Sequence, residues 1–227
     1  MTFYIRNDLV KHILRAIFVG FMLIHLLSSS AAGLDWRDLD LSDENSALRK
    51  GIETGKILDA GEWGAKTFPV LAKEIWQNNI HQGKKQPYPL SRYQKKWLGS
   101  WLEKWGINPG DIQIVYEAEL LNDHKILDQW PITIMDELAG QTFGNTIYLR
   151  QPHKNKDGNL VVLLSHEAYH IKQYKELGSI AEFGRKYTQG YVGSFFSYEN
   201  NPMEVEAYDA QDQFKQWLCS QEGWSCE

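Results

Sequence analysis

Cysteine is nearly absent. The chain holds only Cys219 and Cys226, both at the C-terminal end. That excludes a dense disulfide scaffold, and with no histidine or further cysteine beside them the pair makes no convincing metal site. In an oxidising compartment they could close a small terminal loop; elsewhere they stay thiols. A basic surface is missing too. Lysine and arginine number 24 against 29 aspartates and glutamates, a formal net charge of −5, whereas nucleic-acid binding needs a concentrated positive face. The pairs Lys84-Lys85 and Lys95-Lys96 are too small for one and read as solvated turn and helix-face residues. No nucleic-acid partner is expected. Internal repeats and low-complexity linkers are also lacking, and no apolar run reaches the ~20 residues of a membrane-spanning helix.

What is present is a chain of 227 residues, 43% hydrophobic and 23% charged, enough for one domain or at most two small ones with a sizeable core. Its start is a different material. Arg6, Lys11 and Arg15 precede the apolar "AIFVGFMLIHLL" and the small residues "SSSAAG". This is the three-part layout of a secretory signal peptide over residues 1–32, with cleavage after Ser30-Ala31-Ala32. No cysteine stands at that point, so a lipid-modified N-terminus is not indicated. The expected protein is exported, periplasmic or secreted, and more acidic once residues 1–32 are gone. If uncleaved, the segment would serve as a membrane anchor.

Residues 44–77 carry a mostly helical pattern, broken around "DAGEWG" and again at Pro69, and "HQGKKQPYPL" reads as a loop. Ser91 caps a helix, "SRYQKKWLGSWLEKWG", that stops at Gly106. Trp97, Trp101 and Trp105 form a stripe on it, read as a core face rather than a carbohydrate or membrane platform. "IQIVY" and "NTIYLR" are strand-like, and "WPITIMDEL" is a further candidate. Helices are expected over about residues 159–177, ending at Gly178, over 180–187, and from an Asn201 cap with Pro202 in the first turn. Met203, Ala207, Ala210, Phe214, Trp217 and Leu218 give the last one an apolar stripe. Short strands beside helices, without regular βαβ alternation, make the fold class α+β.

The chemistry sits in "LLSHEAYHIKQY", residues 163–174. On a helix, His166 and His170 lie one turn apart on one face and can offer two imidazole nitrogens to one ion. Zinc suits such nitrogen and oxygen donors. Glu167 projects beside them, placed to take a proton from an activated water and pass it to a leaving amine. The pattern is H-E-x-x-H. Incidental histidines on a half-buried helix are the bland alternative. Against it stand only seven histidines in the chain, and an apolar face on which idle ionisable groups are costly. The extension H-x-x-G-x-x-H is absent, so a third ligand must come from elsewhere. "NNPMEVEAYDAQ" offers Glu204 and Glu206. Glu204 falls where it could instead close a capping box with Asn201, Glu206 could be a solvated helix residue, and both flank the apolar stripe. Periodicity leaves the choice open.

"LLSHEAYHIKQY" followed by "NPMEVEAYDAQ" resembles a gluzincin, a zinc peptidase with two helical histidines and a distant glutamate. More narrowly, "QTFGNTIYLR", "VVLLSHEAYHIKQY" and "NPMEVEAY" are similar to a bacterial metallopeptidase-like domain family often found near extracellular contractile injection systems. The resemblance covers residues 141–211, roughly a third of the chain; residues 35–131 carry none. It implies a zincin-like core over residues 132–227, with a mostly helical region over 33–131 whose independence stays open. It implies Glu204 as the third ligand, zinc as the cofactor and a peptide or protein as substrate. "NTIYLR" would be the edge strand beside the cleft, where a peptide adds itself as a further strand. One position departs. Gluzincins commonly carry an aspartate four residues after the ligand glutamate, and Tyr208 stands there, so Glu206 or Asp209 substitutes or the site is weaker. Tyr191 and Tyr198 are candidate donors to the oxyanion. Two other classes of function remain: a non-catalytic binding module on a metallopeptidase fold, and a helical envelope protein without metal.

Overall fold

The computed structural model describes residues 60–123, 138–194 and 197–224. The expected signal segment 1–32, most of "WPITIMDEL" and Cys226 lie outside the described residues. Helix α1 spans Ala60–Trp76 and runs on into a wider helical turn, Gln77–Gln82. Strand β1 is Tyr88–Pro89, α2 is Arg92–Lys104, and β2 is Gln113–Val115. A short 3₁₀ turn, Leu121–Asp123, precedes β3, Gly140–Phe143, and β4, Thr146–Leu149. Helices α3, Gly158–Leu177, α4, Ile180–Gly193, and α5, Pro202–Cys219, complete the chain. Among the described residues no helix is long and apolar enough to cross a membrane. The architecture is mixed α+β: helices around one small four-stranded sheet of order β1-β2-β4-β3.

Local chemistry explains most element ends. Ser91 caps α2 through a reciprocal capping box with Gln94. Asp157 caps α3, which Gly178 ends in the left-handed conformation at φ 79°. Asn201 caps α5, with Pro202 just inside. A two-residue turn joins β3 to β4, and Gly144 supplies the positive φ it requires.

Three expectations are corrected. α1 is continuous through "GEWG" and Pro69. Its glycines do not break it, because they permit close approach to α4: a methyl on Gly64 would lie 2.1 Å from Gly184 O. Pro69 is tolerated on the exposed side. Likewise α4 does not stop near Tyr187 but continues to Gly193, where Gly190 lets Asn201 Oδ1 come within 2.6 Å of a would-be Cβ. Last, "NTIYLR" is not an edge. β4 is sandwiched, parallel to β2 and antiparallel to β3, so among the described residues it is β3 that lies at this edge of the sheet. The loop "HQGKKQPYPL" also contains β1, whose proline sits on an outer strand, where a missing ladder donor costs little.

Elements before and after residue 132 share one sheet and one core. Ile114 of β2, Leu98 and Leu102 of α2, Ile147 and Leu149 of β4, Leu164 and Ile171 of α3 and Phe214 of α5 form one buried cluster. The tryptophan stripe belongs to it: Trp97 is buried, Trp101 stands edge-on to Phe214, and Trp105 stands edge-on to Tyr169. A second cluster joins Ile75 of α1, Val115, Phe143, Tyr148, Tyr174 of α3, Phe183 of α4 and Met203 of α5. Both clusters include residues of α3, so the helix is packed against each of them.

Candidate metal centre

α3 packs against α5, and this crossing brings Glu204 to the two histidines. His166 Nε2 and His170 Nε2 lie 3.2 Å apart. Glu204 Oε2 is 3.3 Å from the first and 3.5 Å from the second. All three side chains are buried, Glu204 to 2% relative exposure. Glu204 Oε2 makes no hydrogen bond and lies within 3.5 Å of both ring nitrogens. Three electron-pair donors aimed at one point in a buried place are costly unless a proton or a cation lies among them. An N₂O donor set with one side open to a cleft suits zinc.

Without a cation His170 answers with charge. Burial pushes His170 down, but the Glu204 carboxylate, helped by Glu167 and Gln173, outweighs it and raises the ring to about 9. Glu204 is in turn held far below the usual carboxylate range, against burial, by His170 and His166. Its other oxygen, Oε1, accepts from Tyr187 Oη at 2.8 Å. Glu204 therefore does not close a capping box. Asn201 accepts from the Met203 N–H, while the Glu204 carboxylate turns inward.

Glu206 is not in the cluster. Its Oε2 accepts from Gln173 Nε2 at 3.1 Å. Gln173 Nε2 also donates to Met203 O, 2.9 Å, and its Oε1 meets His170 Nδ1 at 2.8 Å. Asp209 lies on the exposed face of α5. His166 has no such support: its Nδ1 is buried without a partner, and its ring lies 4.5 Å from that of Tyr208.

Glu167 points elsewhere. Its Oε2 accepts from Thr142 Oγ1 at 2.7 Å, and the same hydroxyl lies 3.1 Å from Glu167 O. A Cβ on Gly140 would lie 2.7 Å from Glu167 Oε1, so any larger residue there must displace the carboxylate. Arg150 N donates to Ala139 O across the hairpin. With that register, the backbone groups of Gly140 and Thr142 point away from β4, toward the side of β3 that no described strand pairs with. Thr142 O there accepts from Tyr174 Oη at 3.1 Å.

A cleft open to solvent lies between β3, α3 and α4. Glu167, His170 and Glu204 line it together with Phe68, Phe143, Phe183, Tyr187 and Tyr198. Of the two tyrosines expected as donors, Tyr198 is on this wall; Tyr191 is buried in α4 and is not among the lining residues. Burial and the charges of Glu204 and Glu167 hold the Tyr198 phenol far above its ordinary value, so it stays a neutral donor.

No protein-family model, curated protein or solved structure matches this chain. The site stands on its geometry. Thr142, Gly140, Gln173 and Tyr187 were not singled out from the sequence. Of these only Gln173 left a local signal, being three residues after His170 on the same helix face.

Proposed function

We propose that this protein is a zinc-dependent peptidase of gluzincin type on a zincin-like fold, exported from the cell and acting on peptide or protein substrates. One observation carries the proposal: His166, His170 and Glu204 converge in a buried cluster while the adjacent Glu167 turns to the cleft edge. His166, His170 and Glu204 would hold the ion. When bound, zinc supplies Lewis acidity toward a carbonyl and lowers the pKa of water. Thr142 occupies Glu167 Oε2, which leaves Oε1 to take up a proton and return it to the leaving amine. The outward amides of Gly140 and Thr142 and the Gly140 carbonyl would pair with an extended peptide lying along β3, the Thr142 carbonyl being held by Tyr174. Tyr198 Oη donates toward the oxygen that becomes negative.

Zinc per chain in the purified protein, measured beside Glu204→Ala, tests the ligand set: about one in the native chain and a large loss in the variant. Glu167→Gln should keep zinc and lose hydrolysis of an unfolded protein. Native-level cleavage by that variant refutes the proton-transfer role. One observation favours a non-catalytic binding module instead. Tyr208 stands where a carboxylate would orient His166, and leaves its Nδ1 unsatisfied. Bound zinc without cleavage of any of a broad set of unfolded proteins would decide for that function.

A further inference from the structure

His170 is oriented by a neutral amide, and that amide's own partners fix how it must lie. Gln173 Nε2 sits between two acceptors, Met203 O at 2.9 Å and Glu206 Oε2 at 3.1 Å. Neither can donate, so the amide nitrogen must occupy this side and the amide oxygen must face His170. An oxygen there has no proton to give. His170 Nδ1 is therefore the donor across the 2.8 Å contact. With that proton fixed on Nδ1, a neutral ring carries its lone pair on Nε2, which faces Glu204 and His166. Gln173 is 3% exposed and has every polar atom engaged, so its arrangement is locked rather than incidental.

The same side chain reaches the other helix. Met203 O belongs to the peptide bond that joins Met203 to Glu204. One amide thus holds the ring of His170 and the backbone carrying Glu204, across the α3–α5 crossing. We infer that Gln173, anchored by Glu206, is the positioning residue of the metal centre: it sets the tautomer of His170 and the spacing between His170 and Glu204. Glu206 acts through Gln173 and is not a ligand. His166 lacks such a partner, so the centre is supported asymmetrically, with its pre-organisation concentrated on His170 and Glu204. This rests on the proposed metal site but not on its being catalytic.

Zinc affinity, measured by competition with a chromophoric chelator, separates these roles. Gln173→Ala should weaken zinc binding about 10- to 100-fold, the range for loss of a group that orients a ligand. Glu206→Gln should bind as tightly as the native chain, since a glutamine can turn its own oxygen toward Gln173 Nε2. Gln173→Glu keeps the acceptor for His170 but sets a carboxylate against Glu206 and Met203 O, and should bind weakly. Adding Glu206→Gln to it supplies a donor and should restore much of the affinity. This rescue is something general loosening of the helix pair would not produce. Proton–nitrogen NMR of the zinc-loaded chain gives a second readout: a protected Nδ1–H on His170, lost in Gln173→Ala. Native affinity in Gln173→Ala, or zinc loss in Glu206→Gln alone, overturns the inference while leaving the metal site standing. No zinc in the native chain removes both.

Discussion

Gly140 offers a test of the proposed proton-transfer role of Glu167 that leaves the proposed metal ligands alone. A methyl group placed there would lie 2.7 Å from Glu167 Oε1, 3.1 Å from Glu167 Cδ and 2.9 Å from Leu149 Cδ2. Comfortable contacts begin near ~3.5 Å, so something must move by roughly 0.6–0.8 Å. Leu149 is fully buried against Ile114, Ile147 and Leu164 and has nowhere to go. The carboxylate is the looser end, yet its Oε2 is held by Thr142 at 2.7 Å. Displacing it breaks a hydrogen bond to a charged group, worth about 1.5–3 kcal/mol. If that orientation is what lets Glu167 handle the proton, Gly140→Ala should lower the hydrolysis rate about 10- to 100-fold, the rate equivalent of ~1.4–2.7 kcal/mol. Zinc content should be unchanged, because the proposed ligands His166, His170 and Glu204 sit on α3 and α5. Thr142→Val removes the same hydrogen bond without adding bulk and should act in the same direction. The assay is cleavage of an unfolded protein followed by mass spectrometry, with zinc and melting temperature measured on each variant. Native rates in both variants, with native zinc, would refute the role given to the Thr142–Glu167 contact.

Three further outcomes are expected. Phe214 is fully buried beside Trp101 and Trp217, so Phe214→Ala should cost about 3–5 kcal/mol in denaturant unfolding, and a loss under 1 kcal/mol would contradict the packing. In Gly64→Ala the new methyl would lie 2.1 Å from Gly184 O and 2.3 Å from Thr188 Oγ1; α1 must back away from α4, destabilising the chain by at least ~1–3 kcal/mol, and an unchanged melting temperature would show the two helices are not so closely joined. In the zinc-free protein His170 is raised from 6.5 to about 9. A raised histidine contributes stability that is complete below its unfolded value and is lost as pH climbs through the folded one. Chelator-treated protein should therefore lose of order 3 kcal/mol between pH 6.5 and 9, and a flat melting profile across that window would oppose the His170–Glu204 pairing.

How legible this molecule is depends on the range of the interaction being read. Caps, stops and short-range periodicity act over one or two turns, and these were readable: Ser91, Gly178 and Asn201-Pro202 mark helix ends where the folded chain has them. Glycine misled wherever it serves packing rather than chain reversal, in α1 and α4, because a close helix crossing and a turn ask for the same missing side chain. "NTIYLR" was readable as a strand but not as an inner one, since edge or centre depends on which partner arrives on the far side.

For the site the division is as sharp. The sequence alone determined that His166, Glu167 and His170 share a helix, that the histidines lie on one face of it and that the fold mixes helices with a small sheet, because a 3.6-residue repeat is a local property of the backbone. Only the tertiary structure decided between Glu204 and Glu206. Both flank the apolar stripe of α5, and the angle at which α5 crosses α3 turns one inward to the histidines and leaves the other to Gln173. It alone joined Thr142 to Glu167, since strand and helix meet through contacts between residues distant in sequence. A spacing can present two nitrogens; closing a buried cluster around them takes the packing of whole elements.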